Sequence, residues 1–136
     1  MTYLNPVFHY GYEAFFERCQ DVGIDGIIIP DLPFEEKEEV DVVAGNYGID
    51  LISMIAPTSK ERIRKIAKGV KGFLYVVSSM GVTGERTNIT TDIDGMLKEI
   101  RSVSNVPAAV GFGIHTPDQA AEISRTAEGV IVGSAV

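Results

Sequence analysis

Basic residues are scarce: 12 Lys and Arg face 19 Asp and Glu, leaving the 136-residue chain at −7. That balance argues against a partner bound through a nucleic-acid backbone, which is gripped by an excess of cations. It leaves room for one small phosphate, because backbone amides hold an oxyanion with little help from Lys or Arg. Cysteine is nearly absent. Cys19 stands alone, so no internal disulfide is possible and a cytoplasmic location is expected. No apolar run approaches the ~20 residues that cross a bilayer, so no membrane partner is expected. The opening MTYLNPVFHY lacks the basic start of a signal peptide and reads as a strand already in progress. Metal ligands are thin as well. His9 and His115 are the two histidines, neither has a Cys, His or Asp at ligand spacing, and Asp118 is better used in the first turn of a helix. Loop or surface histidines and no metal are expected. Missing too is a G-x-G-x-x-G after the first strand, which removes a dinucleotide-binding fold.

What is there is a repeated unit: short apolar run, loop, amphipathic helix. The apolar runs are residues 3–7, 26–29, 51–55, 73–77, 106–110 and 129–132. Between them, Tyr12, Phe15, Phe16 and Cys19 recur at helical spacing before Gly23, which makes Cys19 a core residue. Glu35, Glu36, Glu38 and Glu39 crowd the start of a second helix, where its dipole favours anions. Val40, Val43, Ala44 and Tyr47 form that helix's apolar face, and Gly48 ends it. Thr58-Ser59-Lys60-Glu61 reads as a capping box ahead of Ile63, Ile66, Ala67 and Val70. Ile93, Met96, Leu97 and Ile100 mark a fourth helix after a loop over residues 78–91. Thr116-Pro117-Asp118-Gln119 is another capping box, with proline at the first helical position.

Six strands that are apolar throughout, alternating with five helices, predict a parallel sheet buried on both faces. Glycine turns at the ends of late strands, GFGI at 111–114 and VGSA at 132–135, favour a (β/α)8 barrel over an open doubly wound sheet. A whole barrel needs ~250 residues. The fold class expected is therefore α/β, a partial (β/α)8 TIM barrel, with residues 1–136 forming a single domain. Starting inside one strand and stopping at Val136 just past another, the chain is expected to be cut at both ends. An open parallel sheet would leave two edges unpaired and invite a dimer or domain swap.

Asp31 sits where barrel enzymes place acids, at the end of a strand, and is equally suited to cap the helix that follows. Tyr75 alternates with inward positions and, on its residues alone, reads as core.

Taken in order, Asn5-Pro6, Pro30-Asp31-Leu32-Pro33, YVVSSMGVTG at 75–84, GFGI and Gly133-Ser134 resemble the tryptophan synthase alpha chain family over essentially the whole chain, from that family's third strand to its eighth. The resemblance implies aldol cleavage of indole-3-glycerol phosphate to indole and glyceraldehyde 3-phosphate, in partnership with a tryptophan synthase beta chain. Pyridoxal phosphate belongs to that beta chain, and no cofactor is expected here. By position, Gly84, Gly113, Gly133 and Ser134 match the substrate-phosphate site, and Phe112 a neighbour of it. Met1, Ile28, Pro30 and Ile52 match strands lining the indole pocket. Tyr75 matches a tyrosine beside the catalytic acid, a supporting role, and Thr83, with Arg86 nearby, lies in a loop that closes as a lid. Asn5, Asp31 and Pro33 match loops facing the beta chain. The family's two catalytic acids lie on its second strand and the following loop, upstream of the position matched by Met1, and its segment after the eighth strand is not matched either. Two rival readings are another phosphate-binding barrel, such as a ribulose-phosphate epimerase or a histidine-pathway cyclase, and a non-catalytic half-barrel that modulates a beta chain.

Overall fold

The computed structural model describes residues 1–78, 87–111 and 113–136, with residues 87–92 given by their backbone alone. Two compact units divide the chain, residues 1–53 and 54–136.

The first unit opens on a correction. Of residues 3–7, all but the extended Tyr3 form helix, not strand: α1 runs Leu4–Tyr10. Pro6 falls in its first turn, where a missing N–H costs nothing. Asp31 Oδ1 accepts the Leu4 N–H at 2.8 Å, so the helix is capped by a residue 27 positions away. Extended chain persists only before it, where Thr2 N–H donates to the Ile28 carbonyl at 3.1 Å. Gly11, at φ 90°, ends α1 and serves as N-cap of α2, Tyr12–Asp21. That reversal needs a residue free to adopt positive φ.

β1 (Gly26–Ile28) then pairs in parallel with the start of β2 (Asp50–Ile55), Ile27 opposite Leu51 and Ile28 opposite Ile52. Between them lie a 3-10 turn, Phe34–Glu36, and α3, Lys37–Asn46. The core of this unit is Val7, Phe16, Cys19, Ile27, Ile29, Val40, Ala44, Ile49 and Leu51. Burying each large apolar side chain of this kind contributes about 1.5–3 kcal/mol. Tyr12, Phe15, Val43 and Tyr47 pack against its edge, as their helical spacing predicts.

The second unit continues with α4 (Lys60–Ala67), β3 (Leu74–Val77), α5 (Thr87–Arg101), β4 (Ala108–Gly111), α6 (Pro117–Ile123) and β5 (Gly129–Ile131). β3 pairs with β4 and β4 with β5, all in parallel. Five strands are present among the described residues, one fewer than the sequence predicts, because the first apolar run became α1. The α4 cap is Ser59, one residue after the predicted Thr58: its Oγ accepts the Arg62 N–H. Helix α5 begins at Thr87, four residues before the predicted loop ends. Its face is as expected, with Ile93, Met96, Leu97 and Ile100 all buried. The Thr116 capping box is formed in full.

Two polar clamps hold this unit's helices to their neighbours. Glu99 on α5 accepts from Arg64 and pairs with Lys60, both on α4. Glu128 accepts from the Arg101 guanidinium and, through its other oxygen, from the Ala108 N–H at the start of β4. The Arg64 and Lys60 hydrogen bonds hold the Glu99 carboxyl below its ordinary pKa. Burial pushes Glu128 upward, but the Ala108 amide and Arg101 outweigh it, and its pKa also lies low.

Candidate functional site

β4 and β5 end together. Gly111 stands opposite Ile131 in the register, so Gly113 and Gly133 each lie two residues beyond the last pair, on adjacent strands. Gly113 holds φ 75°, a conformation that turns its backbone sharply at little cost. Gly133 and Ser134 are exposed, and a Cβ added at Gly133 would meet nothing within 4 Å. Two tight turns thus sit side by side at one end of the sheet, with open space over one of them.

The first amides of α6 are already engaged. Gln119 Oε1 accepts the His115 and Thr116 N–H groups at 2.8 and 3.1 Å, and Thr116 Oγ1 accepts the Gln119 N–H at 3.3 Å. Donors for an anion here would come from the glycine turns and the Ser134 hydroxyl, not from these amides.

Tyr75, on β3 opposite Ala109, is 7% exposed. Its ring reaches diagonally to Gly111. A Cβ at that glycine would stand 2.7 Å from Tyr75 Cζ and 3.0 Å from Ile131 Cβ. Gly111, the last residue of β4, is therefore a close-approach position. This dependence escaped the sequence reading, because it arises from strand register and leaves no local mark. Leu74, Val76, Ala108 and Val110 form the other, fully buried face. The Tyr75 hydroxyl is thus carried toward the same end of the strands as the glycine turns.

In the first unit, Ile28 and Ile52 are direct cross-strand partners on the face opposite the core residues Ile27 and Leu51. Ile52 is buried, Ile28 half-buried, and Pro30 and Met1 are exposed. The partner-facing candidates also gather here. Asp31 caps α1 one residue before Asn5, and Pro33 accepts the Glu36 N–H that closes the 3-10 turn. Asn5, Asp31 and Pro33 are all exposed. Beside them α1 presents Phe8 and Tyr10, with Tyr3 just ahead of it, at 63%, 59% and 65% exposure. Asp31 thus acts as a cap, but for a helix earlier in the chain than the one expected.

Thr83, Gly84, Arg86 and Phe112 lie outside the described residues. His9 is exposed, its Nδ1 3.0 Å from the Asn5 carbonyl. Cys19 is buried, and burial pushes its thiol pKa up. Burial, then Glu39 and Glu36, raise the Tyr12 pKa. Among the described residues no group of three His, Cys, Asp or Glu side chains is placed to hold a metal ion, and no helix is long and apolar enough to cross a membrane.

The family model described as "Tryptophan synthase alpha chain" matches residues 1–136. The chain belongs to the tryptophan synthase alpha chain family. It is 54% identical to the tryptophan synthase alpha chain of Lacticaseibacillus casei, over all of this chain and 51% of that one. It is 49% identical to the tryptophan synthase alpha chain of Thermoanaerobacter sp. strain X514, again over its whole length and 52% of the relative. Among solved structures, tryptophan synthase subunit alpha from Campylobacter jejuni superposes with a TM-score of 0.92 at 38% identity, covering 98% of this chain and 54% of that one. This likeness gives the fold class as part of a (β/α)8 barrel, in line with the sequence. The chain spans about half the length of the curated relatives it matches.

Proposed function

We infer that this chain supplies the phosphate grip and one wall of the indole pocket in a tryptophan synthase alpha chain, whose reaction is the aldol cleavage of indole-3-glycerol phosphate to indole and glyceraldehyde 3-phosphate. The observation that carries the reading is the pair of glycine turns, Gly113 and Gly133, each two residues beyond the last paired residues of neighbouring strands. Their amides and the Ser134 hydroxyl converge on one phosphate, with Gly84 as a further contributor. Ile28 and Ile52, together with Met1, Pro30 and Phe112, line the apolar pocket for the indole ring. Tyr75 supports the chemistry by orienting a carboxylate or the substrate through its hydroxyl, and Thr83 helps close a lid that excludes water.

In the cleavage, one acid protonates the indole ring at C3, another stabilises the indole N–H, and the substrate's C3′ hydroxyl loses its proton as the carbon–carbon bond breaks. General acid–base steps of this kind contribute ~10²–10⁴-fold each. The family's two acids lie on its second strand and the loop after it, which residues 1–136 do not include. The 136-residue chain by itself is accordingly expected to release indole only at background. A rate within tenfold of a full-length alpha chain would overturn that assignment.

The phosphate grip has its own test. Titrating glycerol 3-phosphate while following backbone amides by NMR is expected to shift Gly113, Gly133 and Ser134 together. Gly133→Val is expected to abolish the shifts, because a Cβ at this position enters open space beside the turn. Shifts that survive that substitution, or none in the parent chain, would remove the reading.

The exposed aromatic residues around α1 support a partner on this side of the first unit, since clustered apolar exposure marks interaction surfaces. With Asn5, Asp31 and Pro33 they form the surface offered to a tryptophan synthase beta chain, which brings its own pyridoxal phosphate. A chain that raised beta-chain activity while failing the glycerol 3-phosphate test would favour a non-catalytic partner role.

A further inference from the structure

A groove of about 160 Å³ opens between α5 and the end of α6, lined by Ile93, Asp94, Glu122, Ile123, Arg125 and Thr126. Its volume lies below the ~300–1,000 Å³ of pockets for drug-sized ligands, which limits an occupant to a small molecule. The floor is apolar: Ile93 and Ile123 are 4% and 5% exposed. Around it stand two carboxylates and one guanidinium. Asp94 is half-buried, and Glu122 and Arg125 are exposed. Among the described residues none of these three side chains makes a hydrogen bond or ion pair, although charges of opposite sign line one small groove. Nearby, Glu99 and Arg101 on α5 are each paired, Glu99 with Arg64 and Arg101 with Glu128.

One wall is held firmly. Thr126 donates its hydroxyl to the Ile123 carbonyl, and its own carbonyl accepts from the Arg101 guanidinium. The turn carrying Arg125 is therefore fixed before any ligand arrives, which lowers the ordering cost of binding. The groove lies at the end of α6 remote from Gly113.

We propose that this groove binds a small zwitterion with an apolar side chain, a free apolar α-amino acid. Arg125 receives the carboxylate, Asp94 or Glu122 the ammonium, and the side chain covers Ile93 and Ile123. A lone cation would meet Arg125 unfavourably and a lone anion would meet two carboxylates. A molecule carrying both charges beside an apolar group matches all three features of the lining.

The test uses L-leucine as probe, with n-butylamine and isovalerate presenting its ammonium and carboxylate separately. Backbone amides are followed by NMR to about 10 mM, a range that captures millimolar affinities. Saturable shifts are expected at Asp94 and residues 122–126. Asp94→Asn and Arg125→Gln, at half-buried and exposed positions outside the core, are each expected to weaken binding about tenfold, and each single-charge probe to bind at least about tenfold more weakly. No saturable shift with L-leucine would overturn the proposal. So would n-butylamine or isovalerate binding as tightly as L-leucine, or an affinity unchanged in both variants.

Discussion

A methyl group on Gly111 would collide with the Tyr75 ring and with Ile131. The Tyr75 ring is buried and the Ile131 Cβ is fixed to the β5 backbone, so neither has free space to move into. Gly111→Ala is therefore expected to cost about 1–3 kcal/mol of stability, the range for overpacking a filled interior, as read by urea unfolding. Gly129→Ala should cost less, because its nearest neighbour, Ala109 Cβ, is 3.2 Å from the added atom. Equal losses at the two sites would show that register does not set the constraint. Asp31 poses a different question at the same scale. Its carboxylate takes the Leu4 N–H, and lost caps cost about 0.5–2 kcal/mol. Asp31→Ala is expected to speed hydrogen exchange at Leu4 while leaving α3 protected. Unchanged exchange at Leu4 would mean that the cap holds nothing.

At the scale of elements, the two carboxylate clamps make stability depend on acid. Glu99 and Glu128 both have lowered pKa values in the folded protein. Their contribution is complete above the unfolded value of about 4.3 and disappears as pH falls through the lower folded value. Unfolding midpoints measured from pH 7 down to pH 3 should decline, and a Glu99→Gln, Glu128→Gln double variant should decline less steeply. Parallel curves would deny the clamps a role.

Elements are also where the sequence is most and least legible. The α6 cap could be read directly because Thr116, Pro117 and Gln119 carry the whole motif within four residues. The parallel strands were legible because runs such as residues 73–77 are apolar on both faces. Residues 3–7 misled, because a short apolar run has no period long enough to distinguish strand from helix. The residue that starts α1 is Asp31, supplied by tertiary structure from far along the chain. Within the candidate site the glycine turns announced themselves, whereas the contact between Tyr75 and Gly111 required knowing which residues stand across from each other.

For the whole molecule, family membership rests on a match along all 136 residues and a fold shared with relatives about twice as long. The fold class and the glycine turns belong to this length of chain. Under the function proposed above, the acids that move protons to the indole lie outside residues 1–136, which is why binding of glycerol 3-phosphate and release of indole are expected to separate experimentally. An amide shift at Gly133 without turnover fits that division, and turnover without the shift contradicts it.

Every member of the first unit's core, from Val7 to Leu51, lies within residues 1–53, and its paired strands are neighbours in sequence. Local contacts of this kind close small loops and form quickly. During synthesis the ribosome therefore releases a segment whose apolar cluster can assemble before Gly113 or Gly133 has been translated. The exposed aromatic surface of α1 is complete while the Gly113 and Gly133 turns do not yet exist. The first unit can thus fold on a nascent chain, and the order of translation becomes an order of folding.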